Sequence, residues 1–267
     1  MESKFSSEEL SAMSPKEFRA IVRRGEYTRT TADACCGYAQ ADLVVIPEEM
    51  AFEFLLFCLR NPRPCPVLDV TEAGDPHPRL VAPEADLRTD VPKYRVYKDG
   101  KLVDEPSDVT SYWRDDLVSF VIGCSFSFVW LLRAENVKFR PHETGVYATN
   151  INCVPAGRFH GRLAVSGHFA QDTVRPVQVS SRYPAFHGPP VHIGDPAIIG
   201  IKDIYKPNYS TSPEPVEPQK PDEVPMFWAC GVTPQVVALD SKIPFMITHY
   251  PAHMFVTDRR IEEFACL

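Results

Sequence analysis

The chain has 267 residues, of which 44% are apolar and 24% charged, with a formal net charge of −7. That length fits one large domain or two closely packed ones, with enough apolar residues for a sizeable core. The acidic balance and the lack of a basic stripe exclude a nucleic-acid binder. With no run of 18 apolar residues, no membrane span is expected.

The first residues, MESKFSSEELSAMSPKEF, hold no apolar stretch of the kind a secretory signal needs. Glu2, Glu8 and Glu9 argue against a transit peptide, so the expected location is cytoplasmic. Ser14-Pro15-Lys16-Glu17 supplies an N-cap, a proline at the first helical position and a glutamate three residues after the cap. The helix it starts should stop at Gly25, with Phe18, Ile21 and Val22 facing the core. Leu43 to Ile46 reads as a strand, and Pro47 to Arg60 as a helix that ends before the Pro-rich Asn61 to Pro66. Val67 to Val70 is another strand. Tyr94 to Val103 alternates around Asp99-Gly100, a hairpin signature. Leu117 to Cys124 reads as a buried strand entering a helix from Phe126 to Glu135. Further strands are predicted at 145–153, 161–166, 191–193, 198–201, 226–230 and 245–248. Residues 207–225 are rich in proline and charge and read as an exposed loop. No internal repeat is visible.

Eight cysteines are present, none in a C-x-x-C pair, so a structural zinc site is not indicated. As thiols in a reducing compartment they serve mostly as small buried hydrophobes. His249 and His253 stand four apart, but Pro251 between them argues against a helical metal face. No metal and no cofactor is expected.

Several positions carry candidate chemistry. Arg88 can clamp a carboxylate with two parallel bonds, alone or beside Asp90; the alternative is an Arg–Asp pair bracing the hairpin. His192 with Asp195 could move protons near neutral pH, or His192 could be a core histidine. Cys230 ends an apolar strand on a small-residue turn and is either an acid/base or nucleophilic group or simply buried. Gln235 just beyond could orient a polar group of a substrate. His249 is a candidate acid/base residue. In Val121-Ile122-Gly123-Cys124-Ser125-Phe126-Ser127-Phe128, the strand-to-helix turn leaves backbone amides unpaired, which suits a carboxylate or an oxyanion. Ser125 and Ser127 can contact such an anion or cap the helix. Cys124 is either a reactive thiol on that turn or packed beside it.

Seven segments, in order, resemble one family: TADACCGYAQADLVVIP, FCLRNPRPCPVLDV, DLRTDVPKYRVYKDG, WRDDLVSFVIGCSFSF, HGPPVHIGDP, VPMFWACGVTPQ and ITHYPAHMFVTD. They cover about residues 18–258, and the chain is identified as a member of the hydro-lyase or D-glutamate cyclase family. The resemblance implies an α/β fold of two interleaved subdomains with mixed sheets, forming a single domain over 1–267. It also implies a carbon–oxygen lyase that eliminates water from a small carboxylate or amino acid, as D-glutamate would lose water to give 5-oxo-D-proline. A homodimer is left open. The chain departs from the family pattern, which carries Gly at Asp33, Asn at Asp42, Glu at Val129 and Met-Arg-Pro where Gly167-His168-Phe169 stands. Those departures keep two other readings open: a non-catalytic binder of a small acidic metabolite, and a Cys- or His-dependent isomerase or tailoring enzyme.

Overall fold

Two sheets, each built on one long central strand, organise the chain. The structure, a computed structural model, describes residues 4–140, 145–209 and 215–266. In chain order the elements are α1 (Ser7–Ala12), α2 (Pro15–Arg23), β1 (Tyr38–Pro47), α3 (Glu48–Arg60), β2 (Val67–Val70), β3 (Tyr94–Lys98), β4 (Lys101–Asp104), β5 (Leu117–Gly123) and α4 (Phe126–Ala134). They continue with β6 (Phe139–Arg140), β7 (Val146–Asn152), β8 (Arg162–Ala170), α5 (Val174–Ser181), β9 (His192–Ile193), β10 (Val224–Ala229), α6 (Thr233–Asp240), β11 (Phe245–His249) and β12 (Phe255–Arg260). Among the described residues, no helix is long and apolar enough to cross a membrane.

The first sheet runs β2-β5-β1-β11-β3-β4, with β12 also beside β1. The second runs β6-β8-β10-β9, with β7 also beside β8. The α/β class stands, with one correction: every described pairing is antiparallel, where mixed sheets were expected. The reason lies in the connections. A helix after a strand gives a parallel partner only if the chain returns to the same sheet. Here the chain leaves the first sheet after β5 and α4 and lays β6 and β7 along β8. After β10 and α6 it crosses back and lays β11 and β12 along β1.

The two halves match in register. On β1, Ala41 faces Gly123 of β5, and the next amide, that of Cys124, donates to the Gln40 carbonyl (3.0 Å). On β8, Val165 faces Ala229 of β10, and the Cys230 amide donates to the Ala164 carbonyl (3.0 Å). The Ser127 hydroxyl accepts the Gln40 amide at 3.0 Å, as the Thr233 hydroxyl accepts the Ala164 amide at 3.1 Å. The backbone therefore contains a duplication that the sequence does not show.

The sheets meet over a shared apolar cluster. Phe54 of α3 stands edge-on to Phe120 of β5 (4.8 Å between centroids) and 5.1 Å from Phe159. Val44, Val165, Phe169 and Phe227 join them in the same buried cluster. Ser14 caps α2 as expected, with a reciprocal bond from Glu17, and Gly25 follows in the left-handed region (φ +69). Asp99 and Gly100 both take positive φ in the β3–β4 turn, the geometry that turn requires. The strand expected at 198–201 is instead a short 3-10 turn, Pro196–Ile199. Asp195 caps it through the Ala197 amide, and Gly200 closes it at φ +82. Of the loop predicted at 207–225, residues 210–214 lie outside the described residues, and 215–223 carry no helix or strand.

Candidate active site

The site begins at a break in a ladder. One side of β1 pairs with β5 throughout. Along the other side, β12 covers β1 as far as Ala41, and β11 takes up from Val44. Asp42 and Leu43 fall in the gap. The Leu43 amide, left without a strand partner, donates to Nδ1 of His249 at 3.1 Å. That bond leaves Nδ1 unprotonated and puts the ring proton of the neutral imidazole on Nε2. Nε2 lies 2.9 Å from Oδ1 of Asp42, at an angle too bent for a hydrogen bond. Both residues are fully buried. Oδ2 of Asp42 has no donor among the described residues.

β8 repeats the arrangement. β7 pairs with it up to Ser166, and β6 begins at Phe169. By register Ser166 is the counterpart of Asp42, and its hydroxyl is likewise buried and without a partner among the described residues. His168 sits within that second break, its ring edge-on to Trp228 at 5.5 Å.

A cavity lies between the halves, lined by Asp42, Cys124 and Ser125 from one and Ser166, His168 and Cys230 from the other. Val129, Val146, Val232 and Met254 supply apolar walls. It offers about 50 Å³ to the centres of water-sized molecules. One water needs about 10–15 Å³ by that measure, so the space suits a few waters or one small organic acid. Neither Lys nor Arg lines it among the described residues. The amides of Ser125 and Gly231, at the starts of α4 and α6, donate to no acceptor among the described residues. The anion-facing turn expected at 123–127 thus has an open amide at the cavity, and a second lies on Gly231, between the lining residues Cys230 and Val232.

Both thiols are held in their protonated form. Burial pushes Cys124 well up, and the Asp42 carboxylate adds to it; the Phe126 amide and Ser125 hydroxyl, both directed at the sulfur, pull weakly the other way. Cys230 is pushed up to about 12, by burial first and Asp42 second, against the Val232 amide. Neither is a resting nucleophile, since only the thiolate attacks. Iodoacetamide at pH 7.5 should therefore modify the exposed Cys266 in the native protein and spare Cys124 and Cys230 until denaturant is added. Mass-mapped labelling of either cavity thiol at the rate of Cys266 would contradict this.

The other sequence candidates fall elsewhere. Arg88 does not line the cavity; its guanidinium grips Asp86 (2.7 and 2.9 Å). Asp90 is buried and held by Arg23 (2.7 and 2.8 Å), so Arg88 and Asp90 each pair with another residue and the alternative Arg88–Asp90 brace does not form. His192 meets Asp195 through the backbone carbonyl (2.7 Å), not the carboxylate, and is stacked on Phe227 away from the cavity. Ser127 is spent on Gln40. Gln235 donates to the His249 carbonyl (3.1 Å) and accepts the Tyr97 hydroxyl (3.2 Å), so it steadies the strand that carries His249. Ser125 and the two thiols line the cavity, and His249 stands behind Asp42.

Asp42, Ser166 and His168 were not among the sequence candidates. Asp42 had a usable signal, a lone acid inside the apolar run Tyr38 to Pro47, where an unpaired charge is costly. Asp42, Val129 and His168 were noted only as departures from the family pattern; all three line the cavity.

His187 is a separate buried histidine whose Nδ1 lies 2.6 Å from the Arg63 carbonyl. Burial holds its pKa below the ordinary value. The unfolded chain therefore takes up a proton near pH 6.5 that the folded chain resists, so this stabilisation is whole above pH 6.5 and is lost as pH falls. Urea unfolding should show stability dropping between pH 6.5 and 5 by up to about 1.4 kcal/mol per pH unit from this group. His187→Asn should flatten that slope; an unchanged slope would remove His187 from the account.

The architecture is that of an α/β protein with a cavity lined by a buried carboxylate and two thiols, and comparison places it more closely. The D-glutamate cyclase family profile matches residues 118–258. A Bacillus subtilis protein, YcsI, provisionally named a hydro-lyase, is 52% identical over 261 residues, covering 96% of this chain and 100% of its own. A Geobacillus kaustophilus protein with the same provisional name is 52% identical over 261 residues, covering 96% and 98%. The chain belongs to the D-glutamate cyclase family. Among solved structures, a nitrogen repressor-like protein from Methanococcus jannaschii aligns over 87% of this chain and 91% of its own, with 9% identity and a TM-score of 0.38, too slight a likeness to carry an argument.

Proposed function

We propose that the chain is a carbon–oxygen lyase that removes water from a small amino acid or related carboxylate in the cavity between the two strand-to-helix turns. Family membership supports the lyase class. The observation that carries the reading is the buried Asp42 with one carboxylate oxygen unpaired and His249 against the other. A buried carboxylate without a donor is costly, and such groups are kept where chemistry needs them.

Water loss needs a base for the attacking or departing hydrogen and an acid for the leaving oxygen. Asp42 Oδ2 is the base. For a cyclising amino acid it accepts a proton from the ammonium group and frees the amine to attack the distal carboxyl carbon. The open amide of Ser125 can receive the oxyanion that forms. A C–O bond then breaks, and the hydroxide leaves as water with a proton from a cavity acid. Cys230, at about 12, is a stronger acid than water and can supply it, and the second proton that the nitrogen sheds as the amide forms returns to the Cys230 thiolate.

The test is incubation of folded protein with D-glutamate, its homologues and small hydroxy acids, followed by mass spectrometry for the loss of one water. No loss from any member of the panel sinks the reading. Thermal stabilisation by the same compounds without turnover would support a binder instead.

A further inference from the structure

The two halves of the cavity match in backbone but differ in charge. At equivalent register positions, each half offers an unpaired buried oxygen, Asp42 Oδ2 and Ser166 Oγ. Each also offers an amide with no acceptor among the described residues, Ser125 and Gly231, and a protonated thiol, Cys124 and Cys230. One half thus ends in an anion that can only accept hydrogen bonds, and the other in a hydroxyl that can donate. A ligand that satisfies both is polar end to end, with a cationic donor at Asp42 and an acceptor at Ser166 and the Gly231 amide. Among the described lining residues the ionisable groups are Asp42, Cys124, His168 and Cys230, with His249 behind Asp42. None is a fixed cation.

On the proposed-function reading, we propose that the site takes an α-amino acid as a net-neutral zwitterion, ammonium at Asp42 and carboxylate at Ser166 and the Gly231 amide, with any further carboxyl group bound protonated. The ammonium neutralises Asp42, and the Gly231 amide and the Ser166 hydroxyl hold one carboxylate. A second carboxylate would be a charge with no cation among the described lining residues, which such sites avoid by holding the group neutral. The preference suits water loss from a carboxyl group, because the neutral acid already carries the hydroxyl that departs.

Binding can be read by calorimetry with 2-aminopentanoate (each enantiomer), pentanoate, D-glutamate and D-glutamine. At pH 7, 2-aminopentanoate should bind at least tenfold tighter than pentanoate, and Asp42→Asn should erase that difference. Ser166→Ala should weaken 2-aminopentanoate several-fold while the amine preference remains. D-glutamate affinity should fall about tenfold per pH unit from pH 5 to 7 as its side chain, with a pKa of about 4.3, must regain its proton to bind. D-glutamine affinity should stay flat over that range. A flat D-glutamate profile between pH 5 and 6, where a histidine rather than the ligand would hold the proton, overturns the proposal. So does pentanoate binding as tightly as 2-aminopentanoate. Water loss without these preferences would reject this inference and keep the lyase reading; these preferences without water loss would do the reverse.

Discussion

Asp42→Asn is expected to lower kcat/KM for water loss at least about a hundredfold, the low end for removal of a general base. The same change should raise the Tm of the unliganded protein. The wild-type carboxylate is buried beside His249 with one oxygen unpaired, and desolvating a charged carboxylate costs stability. Asparagine keeps the shape and removes the charge. Activity and stability should therefore move in opposite directions, the pattern of a group retained for chemistry. Steady-state kinetics alongside thermal denaturation checks both. A variant that loses activity and also melts lower would mark Asp42 as a structural brace.

Gly123→Ala should cost about 3 kcal/mol of stability, at the upper end for an overpacked core. A Cβ at that position would lie 1.8 Å from the backbone oxygen of Ala185, which cannot rotate aside. β5 would have to shift, carrying with it the Cys124 turn and the pairing with β1. Gly231→Ala is a useful contrast. Its Cβ would lie 1.7 Å from Oδ2 and 2.2 Å from Cγ of Asp42, so the whole carboxylate must turn into the cavity it lines, but no backbone is among the nearest atoms. Urea denaturation should show a small loss for Gly231→Ala and a large one for Gly123→Ala, whereas turnover should fall in both. Comparable stability losses would mean that Asp42 is held more firmly than its single unpaired oxygen implies.

Local signals were legible wherever a short stretch decides its own conformation. The Ser14 cap, the Asp99-Gly100 turn and the β5-to-α4 turn were all read correctly from residues that act on near neighbours. Pairing partners were not legible, because the strands beside β1 come from far along the chain and α4 and α6 lead out of their own sheets. The duplication was hidden for a related reason. What the halves share is backbone register and a hydroxyl under each turn, and Ser127 and Thr233 satisfy that within otherwise dissimilar segments. Arg88 looked like a carboxylate clamp until Asp86, two residues away, proved to be its partner. Asp42 is the instructive miss. A lone acid in an apolar strand conflicts with local preference, and such conflicts collect at functional sites.

The insertion of the second sheet between β5 and β11 of the first also bears on how the molecule is made and broken. The second sheet is built wholly from residues 139–229, but the first is not complete until residues about two hundred positions apart, such as Ala41 and Phe255, have met. Assembly that waits on such distant partners is slow, and half-made chains expose unpaired edges to aggregation. Once closed, the same interlock works as a clasp. A protease that cuts within 215–223 leaves pieces that each hold strands belonging to the other's sheet, so the nicked protein should stay together, cavity included, until both sheets open at once.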